Sequence, residues 1–317
     1  MSYILLIIGF LFLIKGADSF VSGSSSIAKI FKVPSLIIGL TIVAFGTSAP
    51  EAAVSITAAL KGNNDMAIAN VVGSNIFNLL LVVGVSSIIN PIKVQKTTII
   101  KEFPFAILAS IVLIILSHDT KFQGYNINSL TRADGLILLS LFIIFIYYLI
   151  EMAITSKEEM NIEQNNENLS IGKSIIFSIL GILGIIIGGD IVVNSASNIA
   201  LNLGMSQNLV GLTIVAVGTS LPEFVTSIIA AKKGESDIAI GNVVGSNLLN
   251  ILFVLGLSST INNIQIQPIV FIDMLVMVFI TILTYIFAST KKTVSKGEGI
   301  VLSIIYIIYM IFIIIRQ

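Results

Sequence analysis

The sequence repeats itself, and this repeat constrains the fold more than any other feature. The hexapeptide GTSAPE at 46–51 recurs as GTSLPE at 218–223, which is 172 positions later. The same offset relates two copies of NVVGSN, at 70–75 and 242–247. From 39 to 78, about 27 of 40 positions are identical to their counterparts in the second copy. The chain therefore consists of two halves built on one plan.

Both halves are too apolar to fold in water. Of the 317 residues, 56% are hydrophobic and only 11% are charged, whereas soluble domains carry roughly 25% charged residues. The apolar runs are long and lack the alternation of barrel strands, so they predict membrane-spanning helices. Ten such runs lie at 3–20, 35–60, 67–89, 103–117, 134–150, 172–192, 207–231, 238–260, 268–288 and 298–315. A soluble enzyme is excluded, and a net charge of zero offers no basic face for nucleic acid.

The spans divide evenly between the halves and predict an all-α integral membrane fold. Residues 1–150 hold the first five spans and 171–317 the second five, while the acidic segment 151–170 is predicted to be a hydrated cytoplasmic linker. Because five is an odd number, the second copy enters the membrane from the opposite side. Secondary transporters commonly use such inverted-topology repeats, with the substrate held near the midplane between them.

The basic residues predict the orientation in the cell membrane. When both termini are placed outside the cytoplasm, 12 lysines lie in or beside cytoplasmic loops and only 4 lysines and arginines lie outside. Cytoplasmic loops carry the excess of basic residues in most membrane proteins. We therefore expect both termini to be extracytoplasmic.

Two prolines fall in the middle of predicted spans, at equivalent places in the repeats. Pro50 and Pro222 each follow a glycine by four residues. Proline lacks a backbone donor and clashes with the preceding turn, so both helices should break at membrane depth. The breaks are predicted to free backbone carbonyls, such as those of Ala44 and Ala216, which are good ligands for hard cations.

A glutamate follows each of these prolines. Glu51 and Glu223 are the only acidic residues predicted near the middle of spans, where an ionisable group costs about 2.5 to 3.5 kcal/mol. Equivalent positions of inverted repeats should converge across the pseudo-twofold axis. The hydroxyls that flank the pair belong to Thr47, Ser48, Thr219 and Ser220. Oxygen ligands without histidine or cysteine suit calcium, magnesium, manganese or sodium.

The next span of each half carries a polar stripe. Asn70, Ser74 and Asn78 fall at i, i+4 and i+8, which places them on one helical face. The second copy repeats the stripe with Asn242, Ser246 and Asn250. We expect the stripes to line a cavity, and Asn75 and Asn247 to point elsewhere.

At these residues the sequence closely resembles the sodium/calcium exchanger family of the cation/calcium exchanger superfamily, in particular its prokaryotic ten-helix members. The resemblance covers essentially the whole chain and implies calcium ligands at Glu51 and Glu223, with the backbone carbonyls of Thr47 and Thr219. It implies sodium sites that add Ser74 with Ala44 and Thr47, and Ser246 with Ala216 and Thr219. Asn78 and Asn250 would line the central position. The implied activity is electrogenic exchange of several sodium ions for one calcium ion by alternating access, without a cofactor, and we expect a monomer.

One departure and three alternatives bear on this interpretation. Potassium-dependent exchangers carry an aspartate where this sequence has Asn250, so potassium co-transport is not expected. A proton/calcium exchanger, or an exchanger of another divalent cation, would use the same glutamates. A cation channel would need no paired helix breaks. An intramembrane enzyme ranks last, because the mid-membrane residues include no histidine, cysteine or paired aspartates.

Overall fold

The computed structural model describes residues 2–62, 64–122, 124, 126–159, 170–204 and 216–316. In this part of the chain, all secondary structure is helical apart from four strands of two residues each. The helices are α1 (Ser2–Phe31), α2 (Ser35–Thr47), α3 (Ala49–Leu60), α4 (Met66–Ile89), α5 (Thr98–Leu116), α6 (Asp119–Phe122), α7 (Arg132–Glu159), α8 (Ile171–Asn202), α9 (Ala216–Thr219), α10 (Leu221–Lys232), α11 (Ser236–Ile261), α12 (Pro268–Lys291) and α13 (Lys296–Ile315).

The helices match the predicted spans. Within the described residues, eight helices are long and apolar enough to cross a membrane, and the bent pair α2 and α3 forms a ninth span. The predicted span 207–231 begins outside the described residues, and its described part is α9 and α10. In the predicted linker, α7 continues to Glu159, and 160–169 lie outside the described residues. The all-α membrane fold is thereby confirmed.

Counterpart helices of the two halves pack against each other. The first helices, α1 and α8, run alongside one another with glycines at the contact: a Cβ on Gly16 would lie 2.8 Å from the Gly181 carbonyl oxygen. The contact continues through a serine-rich stretch, where Ser174 donates a hydrogen bond to Ser26 at 2.9 Å. Helix α1 therefore extends beyond its predicted end at residue 20, because these serines are buried against α8 instead of facing solvent.

The loops interlock the two halves symmetrically. Strand β1 (Ile92–Lys93) pairs with β4 (Thr293–Val294), and β2 (Ser129–Leu130) pairs with β3 (Ile264–Gln265), so each antiparallel pair joins one strand from each half. Two counterpart side chains add to the connection. Asn90 donates to the carbonyl of Ala231 at 2.8 Å, and Asn262 donates to that of Ala59 at 3.4 Å. Each contact is thus the pseudo-twofold image of the other.

The centre of the molecule is formed by α4 and α11, the helices that carry the polar stripes. In an apolar 18-residue stretch of each helix, 72% and 94% of the residues are buried, respectively. Helix α11 lies directly on α2, since a Cβ added to Gly245 would lie 2.8 Å from both the Cα and the carbonyl oxygen of Leu40. The last asparagine of each stripe is also the first residue of a π-helical turn, at Asn78–Val82 and Asn250–Leu255. Such turns are rare and are frequent at functional sites.

Replacing Gly245 by alanine is expected to destabilise the protein by about 1–3 kcal/mol, because the new methyl group would press on backbone atoms that cannot rotate away. The apparent melting temperature in detergent should fall and calcium uptake should decline with it. Gly297→Ala in α13 is the matched control, since its added methyl group would meet nothing within 4 Å. Equal melting temperatures for the two variants would contradict the close approach of α2 and α11.

Candidate cation site

Two broken helices meet at the centre of the fold. Helix α2 ends at Thr47 and α3 begins at Ala49, with a bend of 51° between them. The second repeat breaks in the same way at Ser220, between α9 and α10. Pro50 and Pro222 each stand in the first turn of the helix that follows, where a missing N–H is tolerated. The predicted helix breaks are therefore present in both halves.

Each break places a buried carboxylate in the first turn of its second helix. Glu51 and Glu223 are both 0% exposed. A helix N-terminus carries partial positive charge, which stabilises a nearby carboxylate. One dipole does not replace the hydration that a charged group loses on burial. The two acids therefore depend on hydrogen bonds and on any cation that the site takes up.

The hydrogen bonds to the glutamates cross from one repeat to the other. Ser48 donates to Oε1 of Glu223 at 2.7 Å, and Ser220 donates to Oε1 of Glu51 at 2.9 Å. Each serine stands at the break of its own repeat, three residues before its own glutamate. The two breaks consequently face each other, as the repeat symmetry predicts. Ser74 joins this network, with its hydroxyl 2.9 Å from that of Ser220 and 3.5 Å from Oε1 of Glu51.

Asn70 and Asn242 tie the broken helices to α4 and α11. The amide nitrogen of Asn70 lies 3.3 Å from the backbone carbonyl of Glu51, and that of Asn242 lies 3.5 Å from the carbonyl of Glu223. The threonines of the opposite repeat reach the same asparagines. Thr47 lies 2.9 Å from Oδ1 of Asn242, and Thr219 lies 3.4 Å from Oδ1 of Asn70. Each asparagine thus connects the glutamate-bearing helix of its own repeat to the threonine of the opposite repeat.

The expectation that Asn75 and Asn247 point elsewhere is wrong. The side-chain amide of each donates to the backbone carbonyl of the other, both at 3.2 Å. Their Oδ1 atoms accept hydrogen bonds from Asn250 and Asn78, at 3.2 and 3.1 Å. A helix presents residues 75 and 78 on neighbouring parts of its surface, and the crossing of α4 with α11 places both next to the opposite stripe. Their recurrence within the repeat was the sequence signal for this role.

The prediction of freed carbonyls does not hold at Ala44. Its carbonyl oxygen accepts the backbone N–H of Ser48 at 2.9 Å, because the chain completes one more helical turn before it bends. The break therefore lies at Ser48 itself. Ala216 is the first residue of α9, and the chain immediately before it lies outside the described residues.

Several buried oxygens at this centre have no hydrogen-bond donor among the described residues. They are Oε2 of Glu51, Oε2 of Glu223, Oδ1 of Asn78, Oδ1 of Asn250 and Oγ of Ser246. Each of these residues is 0% exposed. Buried polar atoms are nearly always paired, so a set of unpaired acceptors requires an explanation such as an ion. The set is formed by oxygens alone, which hard cations prefer.

The fold and this site define a class of protein: a multi-pass membrane transporter built from two repeats around a central group of acidic and amide oxygens. Comparison with known proteins gives the family. The model of the family described as "Sodium/calcium exchanger protein" matches residues 1–151 and 173–315. The chain belongs to this family, and its class of activity is therefore cation/calcium exchange and not enzymatic catalysis.

Individual relatives are similar over almost the entire chain. The sodium/calcium exchanger MaX1 of Methanosarcina acetivorans is 32% identical over an alignment of 342 positions, gaps included, which covers 98% of this chain and 97% of the relative. The inner membrane protein YrbG of Escherichia coli is 34% identical over 304 residues, covering 93% and 91%. A solved structure of the sodium-calcium exchanger NCX_Mj, soaked with 2.5 mM Na+ and 1 mM Sr2+, superimposes with a TM-score of 0.85 at 33% identity and covers 98% of this chain and 97% of that one.

Proposed function

We propose that this protein is an antiporter that exchanges sodium ions for calcium by alternating access, with Glu51 and Glu223 as the shared binding site. The observation that carries the proposal is the set of unpaired buried oxygens, four of which come from equivalent positions of the two repeats, Glu51 with Glu223 and Asn78 with Asn250. The names of two relatives support the choice of ions, since MaX1 is a sodium/calcium exchanger and NCX_Mj was soaked with sodium and strontium.

The family resemblance supplies the proposed ligands, and the unpaired oxygens of the two glutamates and two asparagines support them. A calcium ion takes six to eight oxygens, which the two carboxylates, the Asn78 and Asn250 amide oxygens and the Thr47 and Thr219 carbonyls would supply. Sodium sites would use Ser74 with Ala44 and Thr47, and Ser246 with Ala216 and Thr219. The Ala44 carbonyl oxygen accepts the Ser48 N–H at 2.9 Å and lies 3.4 Å from the Thr47 hydroxyl, and it remains in the proposed set because of the family resemblance.

Charge neutralisation explains why such a site exchanges ions. An empty site would carry up to two negative charges through a closed, dry intermediate, which is costly in a medium of low dielectric. One calcium ion or several sodium ions remove that charge, so the loaded forms cross the barrier more easily than the empty one. Calcium therefore leaves when sodium replaces it. Transport of more than two sodium ions per calcium ion would be electrogenic.

The direct test is calcium uptake into sodium-loaded proteoliposomes after dilution into sodium-free buffer. We expect uptake that depends on the sodium gradient, with magnesium and manganese offered as competing substrates in parallel. A proton/calcium exchanger would use the same carboxylates as proton carriers. Uptake driven by a pH gradient in the complete absence of sodium would replace our proposal with that alternative.

Potassium is expected to leave the initial rate unchanged on either side of the membrane. The site contains two carboxylates and an amide at Asn250, so there is no third acid to bind an additional monovalent cation. The measurement replaces potassium by choline at constant ionic strength and without an ionophore, which keeps the membrane potential equal. A rate that rises with potassium would show that an asparagine at position 250 does not exclude potassium from transport.

The arrangement in the cell membrane remains part of the proposal. We propose that both termini are extracytoplasmic, that residues 1–150 and 171–317 form the two repeats, and that 151–170 connect them in the cytoplasm. Cysteines introduced at Ser2 and Ser170, followed by labelling of intact cells with an impermeant maleimide, test the orientation. Labelling at Ser2 without labelling at Ser170 is the expected result.

A further inference from the structure

A lysine fastens α1 to the end of α10. Lys233 follows α10 directly, and its Nζ lies 2.8 Å from Oδ1 of Asp18 on α1. The same nitrogen donates to the Asp18 backbone carbonyl at 2.8 Å and to the Ser22 hydroxyl at 2.5 Å, so all three donors of the ammonium are used. Close by along both segments, Ser25 donates to Oε1 of Glu235 at 2.5 Å. We call Asp18, Ser22 and Lys233 the Lys233 cluster.

The repeat supplies the same groups a second time. Asp190 on α8 and Lys61 directly after α3 are the counterparts of the acid and the lysine, 172 positions apart in each case. Asn194 replaces the serine, and its side chain also offers an acceptor oxygen. These three residues are the Lys61 cluster. Because the repeats are inverted, the Lys61 cluster lies towards the membrane face opposite to the Lys233 cluster.

Only one of these two contacts is made in the structure. Within the described residues, Asp190 and Lys61 form no ion pair, and both are exposed. The helices that carry them differ in the same way: α1 packs along α10, whereas the counterpart helices α8 and α3, which are described in full, make almost no contact. Each pair consists of an aspartate and a lysine, so residue type does not explain the difference. The two halves therefore hold the same contact in two conformations, closed on one membrane face and open on the other.

Alternating access would make the two halves exchange these conformations. When inverted repeats exchange conformations, the closed membrane face becomes the open one. In the opposite state, α8 should pack along α3 and bring Asp190 to Lys61, while Asp18 separates from Lys233. Each cluster is then formed only when its own membrane face is closed. This step rests on the alternating access proposed above.

We propose that the Lys233 and Lys61 clusters are reciprocal electrostatic latches, which set the balance between the two access states. A contact that exists in one state stabilises that state alone. The side chains of Lys233 and Asp18 are 30% and 55% exposed, and an ion pair at this exposure shifts an equilibrium by about two- to fivefold. Latches of this strength bias the protein towards one state and still open in every transport cycle.

Hydrogen–deuterium exchange of the purified full-length protein in detergent, without calcium, measures this balance. The segments to compare are 22–31 at the end of α1 and its counterpart 194–202 at the end of α8. Each segment exchanges mainly when its own membrane face is open, so the ratio of the rate at 22–31 to that at 194–202 follows the ratio of the two states. Lys233→Gln should raise this ratio about two- to fivefold. Lys61→Gln should lower it by a similar factor, although Lys61 forms no ion pair within the described residues.

The matched control is Lys232→Gln, which removes the same charge from the neighbouring exposed position and should leave the ratio unchanged, because in the described part of the chain Lys232 has no ion pair. A variant with both Lys61→Gln and Lys233→Gln should return to about the wild-type ratio, since independent shifts add. If a lysine variant fails to fold, Asp18→Asn and Asp190→Asn test the same two clusters.

An unchanged ratio in folded Lys61→Gln, or an equal shift in Lys232→Gln, would overturn the latches. A purely local role of Lys233 predicts no effect of Lys61→Gln on the segment 22–31 at the opposite membrane face. The assay uses no ion gradient, so failure of the latches is distinct from failure of sodium-driven calcium uptake.

Discussion

Replacing Glu51 or Glu223 by glutamine is expected to lower the initial rate of sodium-driven calcium uptake by about 100-fold or more. Glutamine keeps the size of the side chain and an oxygen that accepts the hydrogen bond from the serine of the opposite repeat. It removes one of the two charges that neutralise calcium. The loss of about 3 kcal/mol in such a buried charge interaction corresponds to roughly a hundredfold weaker binding.

The same substitutions lower transport but are not expected to lower the stability of the folded protein. Without calcium, two carboxylates buried at the meeting of the two breaks repel each other, so removing one charge should preserve or raise the melting temperature in detergent. Calcium raises the melting temperature of a protein that binds it in the folded state. We expect this calcium-dependent rise in the wild type and in Glu151→Gln, and its absence in Glu51→Gln and Glu223→Gln. Transport by either glutamine variant at the wild-type rate would exclude the pair as the site.

Replacing Asn75 or Asn247 by alanine is expected to be the next most damaging change, although we do not assign either residue as an ion ligand. Asn75→Ala would leave the Asn247 carbonyl without its side-chain donor and the Asn250 amide without the shorter of its two hydrogen bonds, so that only the Ser74 hydroxyl, at 3.4 Å, accepts from it. Each buried polar group that loses its partner costs about 1–3 kcal/mol. The melting temperature should therefore fall.

Transport should show a second effect of Asn75→Ala. The Asn250 amide nitrogen is held by Oδ1 of Asn75, and this hydrogen bond leaves the Asn250 oxygen unpaired. Without it, the Asn250 amide keeps only its longer hydrogen bond to Ser74, at 3.4 Å, and is held less firmly. Half-maximal uptake should then need about tenfold more calcium. Asn247→Ala should act in the same way through Asn78, whereas the exposed Asn202→Ala is the control. A loss of stability with unchanged calcium dependence would limit Asn75 to a structural role.

Much of the fold was predictable because its determinants are linear in the sequence. Span length follows from the thickness of the bilayer, and the position of each break follows from a proline in the middle of an apolar run. The stripe of Asn70, Ser74 and Asn78 follows from the helical period. The Ala44 carbonyl was predicted less well, since the place where a helix bends depends on a single hydrogen bond to Ser48.

The sequence by itself determined the membrane class, the duplication and the two central acids, because hydrophobicity and repetition depend only on the order of residues along the chain. Only the tertiary structure decided which groups meet across the repeats. Ser48 binds the glutamate 175 positions away and not the one three residues further along its own helix. Asn75 binds Asn247, 172 positions away. Such contacts depend on the crossing of packed helices, which no local spacing encodes, and they determine which oxygens remain unpaired for a cation.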